Sequence, residues 1–168
     1  MRTALFWIFI IALQVFVFNH LDISAYLTPQ VFIILLIRLN LHMSNIMQVL
    51  IAFGLGLLID FFMFTPGVHA SASLWLMLFR MSFLSRQDIK EHAANKAEYT
   101  LKVIDFGPYA ATVLTLVFVY HFYVFWIQSI GAILWGKLLS TVVVSSLFSL
   151  VVIAIIEYVS QTRRGAQK

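Results

Sequence analysis

The sequence predicts an all-α fold, a polytopic membrane bundle of six transmembrane helices, and three observations carry that prediction. Hydrophobic residues make up 62% of the 168 positions, charged residues only 11%, and the mean hydropathy is +0.96. A soluble domain averages about 45–50% apolar and about 25% charged, so too little charge is present to coat a water-facing surface. The apolar residues also gather into stretches near the roughly 20 residues that cross a bilayer as a helix. Finally, the basic residues fall almost entirely on one side once six crossings are drawn. These features exclude a soluble enzyme and a disordered chain, and make residues 1–168 a single integral membrane domain.

The first expected span, 3–18, has one polar residue, Gln14, and ends at Asn19-His20. No small-residue cleavage site follows it, so it reads as a retained helix and not as a signal peptide. The second, 24–39, has Pro29 near its start and Arg38 at its end, where a long side chain can snorkel to the interface. A tilted or partly re-entrant segment is the alternative. Spans 46–64 and 68–84 are separated by Thr65-Pro66-Gly67, a stop followed by a permissive residue, which makes them an antiparallel hairpin. Charge then concentrates over 85–105, where Ile89, Ala93, Ala97, Leu101 and Ile104 recur at helical spacing, as in an amphipathic helix on the cytoplasmic membrane surface. Pro108 restarts the apolar pattern for span 109–127. The last span, 138–159, starts after Lys137, contains Glu157 and leads to a tail with Arg163, Arg164 and Lys168.

Six spans with a cytoplasmic N-terminus place ten basic residues inside and only Lys137 outside. Without the second crossing, Arg2 and Arg38 move outside and the bias falls to eight against three, so six crossings fit better. Both termini are then cytoplasmic and the turn at Pro66 faces outward. The net charge of +4 is scattered among apolar segments, which gives no basic patch for nucleic acid. There is no cysteine, and the five histidines never pair at a zinc spacing, so neither a metal nor a cofactor is expected.

Asp60 most needs an explanation, because a carboxylate within a membrane helix costs about 2.5–3.5 kcal/mol at its centre. His69 sits at similar depth on the antiparallel neighbour, so an imidazole facing the carboxylate would satisfy both. That contact either fastens the hairpin or marks a functional site, which is a small polar pocket opening outward or a partner-binding site. Gly54 and Gly56 on the same helix suggest close packing inside the bundle. His69, Ser73 and Arg80 share one face of the fourth span, with Arg80 at its cytoplasmic end. Lys137, Thr141, Ser145 and Ser149 form a polar stripe on the sixth, read as interhelical hydrogen bonding or, alternatively, as a water-lined path. His121, among aromatics, reads as a core histidine with one hydrogen bond. No Ser-His-Asp order, carboxylate pair or Gly-rich phosphate loop supports an enzyme.

The run from Gly54 to Arg80, GLGLLIDFFMFTPGVHASASLWLMLFR, resembles the signature hairpin of the bacterial rod shape-determining protein MreD family. The matching residues are Gly54, Gly56, Asp60, Pro66, Gly67, His69 and Ala70. Chain length, six spans, Leu13-Gln14-Val15 and the His121-Phe122 region fit the same family. The resemblance implies a non-enzymatic subunit of the cell-elongation machinery in the bacterial inner membrane. Its partners would be the membrane-anchored MreC and, through it, MreB, RodA and penicillin-binding protein 2. It also implies a fold similar to the six-helix substrate-binding components of energy-coupling-factor vitamin transporters. Such a component is the competing reading, and it would need a deep outward pocket with several convergent polar groups.

Overall fold

The computed structural model describes residues 2–20, 27–86, 98–101, 103–131 and 133–165. Among them the chain is helical, with six α-helices and no strand: α1 (Arg2–Phe16), α2 (Ile33–Ile37), α3 (Asn45–Met63), α4 (Val68–Ser85), α5 (Phe106–Gln128) and α6 (Trp135–Gly165). A 3-10 turn, Phe18–His20, follows α1. Three of the helices are long and apolar enough to cross a membrane: Asn45–Met63, Phe106–Gln128 and the Trp135–Ser160 part of α6. α4 has 18 residues, but its apolar character is diluted by His69, Arg80 and four serines.

α3 and α4 pack along each other as the expected hairpin, and α4 and α6 both pack on α5. Ser44 starts α3 by accepting the Met47 amide at 3.4 Å. Phe64 ends it in the left-handed region at φ 55, donating its amide to the Asp60 carbonyl, and Gly67 at φ 82 completes the reversal. A left-handed residue just past the last turn is the usual helix stop, and glycine reaches it without steric cost. α5 begins at Phe106, ahead of the expected start, because Pro108 lies in the first turn, where a missing N–H leaves no intrahelical bond unmade.

The second expected span is not one helix. Residues 27–30 are irregular, and only Ile33–Ile37 forms a helix of five residues. Pro29 lacks an amide and disfavours helix for the residue before it, which breaks the stretch near its start. Every residue from Pro29 to Leu39 is nevertheless buried. The surface helix expected over 85–105 falls largely on residues 87–97 and 102, outside the described residues, while 98–101 and 103–105 are not helical.

Helix direction sorts the polar residues by depth. From Lys137 to Glu157 along α6 is about 30 Å at about 1.5 Å per residue, close to the hydrocarbon thickness of a bilayer. Glu157 marks the end that also holds Arg38, Arg80 and the start of α3, whereas Lys137 shares its end with the Thr65-Pro66-Gly67 turn. Between them the outer surface is apolar, with Leu50, Leu57, Leu114, Leu147 and Val151 exposed. An apolar belt of that extent is the surface of a protein solvated by lipid.

Candidate functional site

Asp60 lies one turn before the end of α3 and is 4% exposed. Its Oδ1 accepts from the Thr65 hydroxyl and the His69 amide, each at 2.9 Å, and its Oδ2 accepts from the Ala70 amide at 2.8 Å. The carboxylate therefore caps the first turn of α4 from the neighbouring helix. Gly67, at the N-cap, has no side chain to do so. Negative charge at the amino end of α4 is favoured by its dipole as well. Asp60 and His69 do meet, but through the backbone amide and not through the expected carboxylate–imidazole contact. The His69 ring turns inward, and its Nδ1 shares a 2.8 Å hydrogen bond with the Tyr120 hydroxyl of α5.

Gly56 makes this geometry possible. A Cβ at that position would stand 2.5 Å from Ala70 Cα and 2.6 Å from the His69 carbonyl oxygen, so only glycine lets α3 approach the start of α4. Gly54 does not pack inside the bundle as expected; a Cβ there would meet nothing within 4 Å. Pro66 and Gly67 form the turn between the capped helix and its cap.

The broken segment 27–39 is held by side chains from α1, α4 and α6. Gln14 of α1, fully buried, accepts the amides of Val31 at 2.6 Å and Phe32 at 3.2 Å, and donates to the Pro29 carbonyl at 3.1 Å. From α6, Ser145 accepts the Thr28 amide at 3.1 Å and Ser149 the Gln30 amide at 3.0 Å. His121 of α5 continues this chain, with Nε2 3.2 Å from Ser149 Oγ and Nδ1 2.8 Å from the Val117 carbonyl oxygen. Because that carbonyl can only accept, a neutral ring leaves Nε2 to accept from the Ser149 hydroxyl. Irregular backbone at membrane depth survives only where protein replaces water as its hydrogen-bond partner, and these residues supply that replacement.

Arg80 closes the other end of the segment. It is fully buried and donates through Nε to the Ile37 carbonyl at 3.1 Å, through Nη2 to the Leu39 carbonyl at 2.7 Å, and through Nη1 to Gln48 Oε1 at 2.5 Å. Arg38 does not snorkel. It is 5% exposed, lies 3.4 Å from Glu98 and 3.7 Å from Glu157, and stacks its guanidinium over the Phe6 ring. Sequence reasoning missed this ion cluster, although Glu157, an acid inside an apolar helix, was its visible signal.

The expected site residues thus divide into two groups. Asp60, Gly56, Pro66, Gly67 and His69 form one hairpin lock, while Arg80 belongs to a separate clamp and Gly54 to the apolar surface. Among the described residues no group of three metal-ligating side chains occurs. A cavity of about 400 Å³ opens between the end of α5 and the start of α6, with Lys137 and Thr141 in its wall. No known protein family, curated protein or solved structure matches the chain.

Proposed function

We propose that this chain is a non-enzymatic, multi-pass subunit of a bacterial cell-elongation complex in the inner membrane, of the rod shape-determining protein MreD kind. It would regulate cell shape and lateral peptidoglycan synthesis by binding an MreC-like single-span protein and, indirectly, MreB, RodA and penicillin-binding protein 2. One observation carries the proposal. In the hairpin that bears the resemblance, Gly56, Asp60, Gly67 and His69-Ala70 each have a defined part in one lock joining two helices. A motif spent on fixing the relative position of helices suits a protein whose product is a surface for partners.

On this reading both termini are cytoplasmic and the Pro66 turn faces outward, in line with the end-to-end separation of Lys137 from Arg38 and Arg80. The six-crossing topology expected from sequence then needs α1, α4 and the broken segment 27–39 to contribute alongside the three long apolar helices. A substrate-binding component of an energy-coupling-factor transporter is the second reading, favoured by the cavity beside Lys137. Neither Asp60 nor His69 lines that cavity, so the hairpin motif is not its binding determinant.

Replacing Asp60 by Ala separates the two readings. It removes the acceptor for the His69 and Ala70 amides, at about 1–3 kcal/mol for each buried group left unsatisfied. Under the proposal, cells carrying Asp60→Ala in place of the native chain lose rod shape while uptake of nutrients is unchanged. Retained shape with loss of uptake of one nutrient would favour the transporter reading.

A further inference from the structure

Residues 98–101 cross the Arg38 end of the bundle as a strap and touch three other parts of the chain. Glu98 forms an antiparallel bridge with Asn40, just past the broken segment, and its carboxylate lies 3.4 Å from Arg38 Nη2. Tyr99 is fully buried; its ring stacks on Tyr109 of α5 at a centroid distance of 5.6 Å, and its hydroxyl donates to Thr112 Oγ1 at 2.9 Å. The Leu101 amide donates to Glu157 Oε1 of α6 at 3.3 Å. Arg38 and Leu39, which end the broken segment, are both buried.

The charges at this end are arranged unequally. Among the described residues Arg38 faces two carboxylates, Glu98 and Glu157, the latter at 3.7 Å from Nη1. The Arg38 and Glu157 side chains are 4% and 3% exposed, whereas that of Glu98 is 28% exposed. A buried guanidinium stripped of its only counter-ion is heavily penalised. Lifting the strap does not strip Arg38. Glu157 stays beside it, and so do the Ser160 hydroxyl at 3.5 Å and the Phe6 ring at 4.7 Å. The pair that is lost is the more water-exposed of the two, a kind that contributes little. Opposing this, the strap can leave only by withdrawing the buried Tyr99 ring from Tyr109, which favours the closed form.

We propose that residues 98–101 are a latch that opens and closes over the Arg38 end of the broken segment. Glu98 is the counter-ion that Arg38 releases, Glu157 keeps Arg38 paired while the latch is open, and Tyr99 is the bolt that holds it shut at rest. The latch controls access to residues 38–40 from the end of the bundle, and local opening of this kind needs no unfolding of the helices. The inference does not depend on the scaffold reading, since it rests only on contacts within this chain.

The test is hydrogen exchange, read by mass spectrometry on the full chain in a mild non-ionic detergent, over residues 36–41 and 98–101. α3 and α4 serve as the internal control for folding. Glu98→Gln is expected to raise exchange about threefold in both stretches and to leave α3 and α4 unchanged, while Glu98→Asp, which keeps the charge, stays within about twofold of wild type. Glu157→Gln has the opposite expected effect. Its amide oxygen can still accept from Leu101, but an open latch would now leave Arg38 unpaired, so exchange at 98–101 should slow about tenfold or more. A merely structural Glu157 would speed exchange there when replaced. If Glu157→Gln does not fold, Glu98→Gln against Glu98→Asp still decides. Unchanged exchange in Glu98→Gln, equal effects of the Gln and Asp variants, exchange rising equally in α3 and α4, or faster exchange of the strap in folded Glu157→Gln overturns the proposal.

Discussion

Two glycines two positions apart on α3 have opposite roles, and the difference is measurable. Gly56 faces the backbone of His69 and Ala70 so closely that a methyl group forces the helices apart, whereas Gly54 faces open space. Gly56→Ala is expected to cost about 1–3 kcal/mol through overpacking. Gly54→Ala is expected to gain up to about 1 kcal/mol through helix propensity. Thermal unfolding of the two variants in detergent checks this, and equal effects would contradict the packing described. The sequence showed both residues but not the distinction, because a spacing of two puts them on different faces whose assignment depends on where α4 lies. The pairing of Asp60 with His69 was legible for the opposite reason: a three-residue turn fixes the depth of both. Which atoms meet was not legible, since it depends on Phe64 and Gly67 adopting left-handed backbone that aims the first amides of α4 at the carboxylate.

At the level of elements, the broken segment 27–39 organises the bundle. Pro29 signalled the break in the sequence, and the hydroxyl stripe on α6 signalled polar contacts along one face. Their connection was hidden, because Thr28 and Ser145 are 117 residues apart in the chain. Ser145 and Ser149 are hydrogen-bonded partners of unwound backbone, and Ser149 also meets His121 of α5, which favours hydrogen bonding within the bundle as the reading of the stripe over a water-lined path. Gln14 is the most exposed to test. Gln14→Leu keeps similar bulk but strands the amides of Val31 and Phe32, at about 1–3 kcal/mol each. Hydrogen exchange should then rise at residues 30–33 with α3 and α4 still protected; unchanged exchange there would show that Gln14 is dispensable to the segment. A Leu at Gln14 also tests why a lone polar residue stands in an otherwise apolar helix, the one sign of this contact the sequence offered.

Across the whole molecule, among the described residues Lys137 stands at the opposite end from Arg38 and Arg80, although the second segment is not a continuous helix. Arg38 was expected at one end of the bundle, and it is there, but buried against Glu98 and Glu157 in place of reaching the interface. Composition alone identified a lipid-solvated helical protein, because so few charges cannot cover a water-facing surface. It did not reveal that the buried charges would be used to tie the chain's own segments together. Gln14, Asp60 and Arg80 direct hydrogen bonds to backbone of neighbouring segments, Arg38 lies against Glu98 and Glu157, and the exposed surface between the two ends is an apolar belt. The central proposal is that this belt and the Pro66 turn hold a partner. Its most direct test is affinity purification of the tagged chain from native bacterial membranes in mild detergent, with quantitative mass spectrometry of what accompanies it. A single-span, MreC-like protein is expected in near-equal amount, with RodA and penicillin-binding protein 2 at lower levels. Recovery with an energy-coupling transporter module in place of that protein, or of the chain alone, would contradict it.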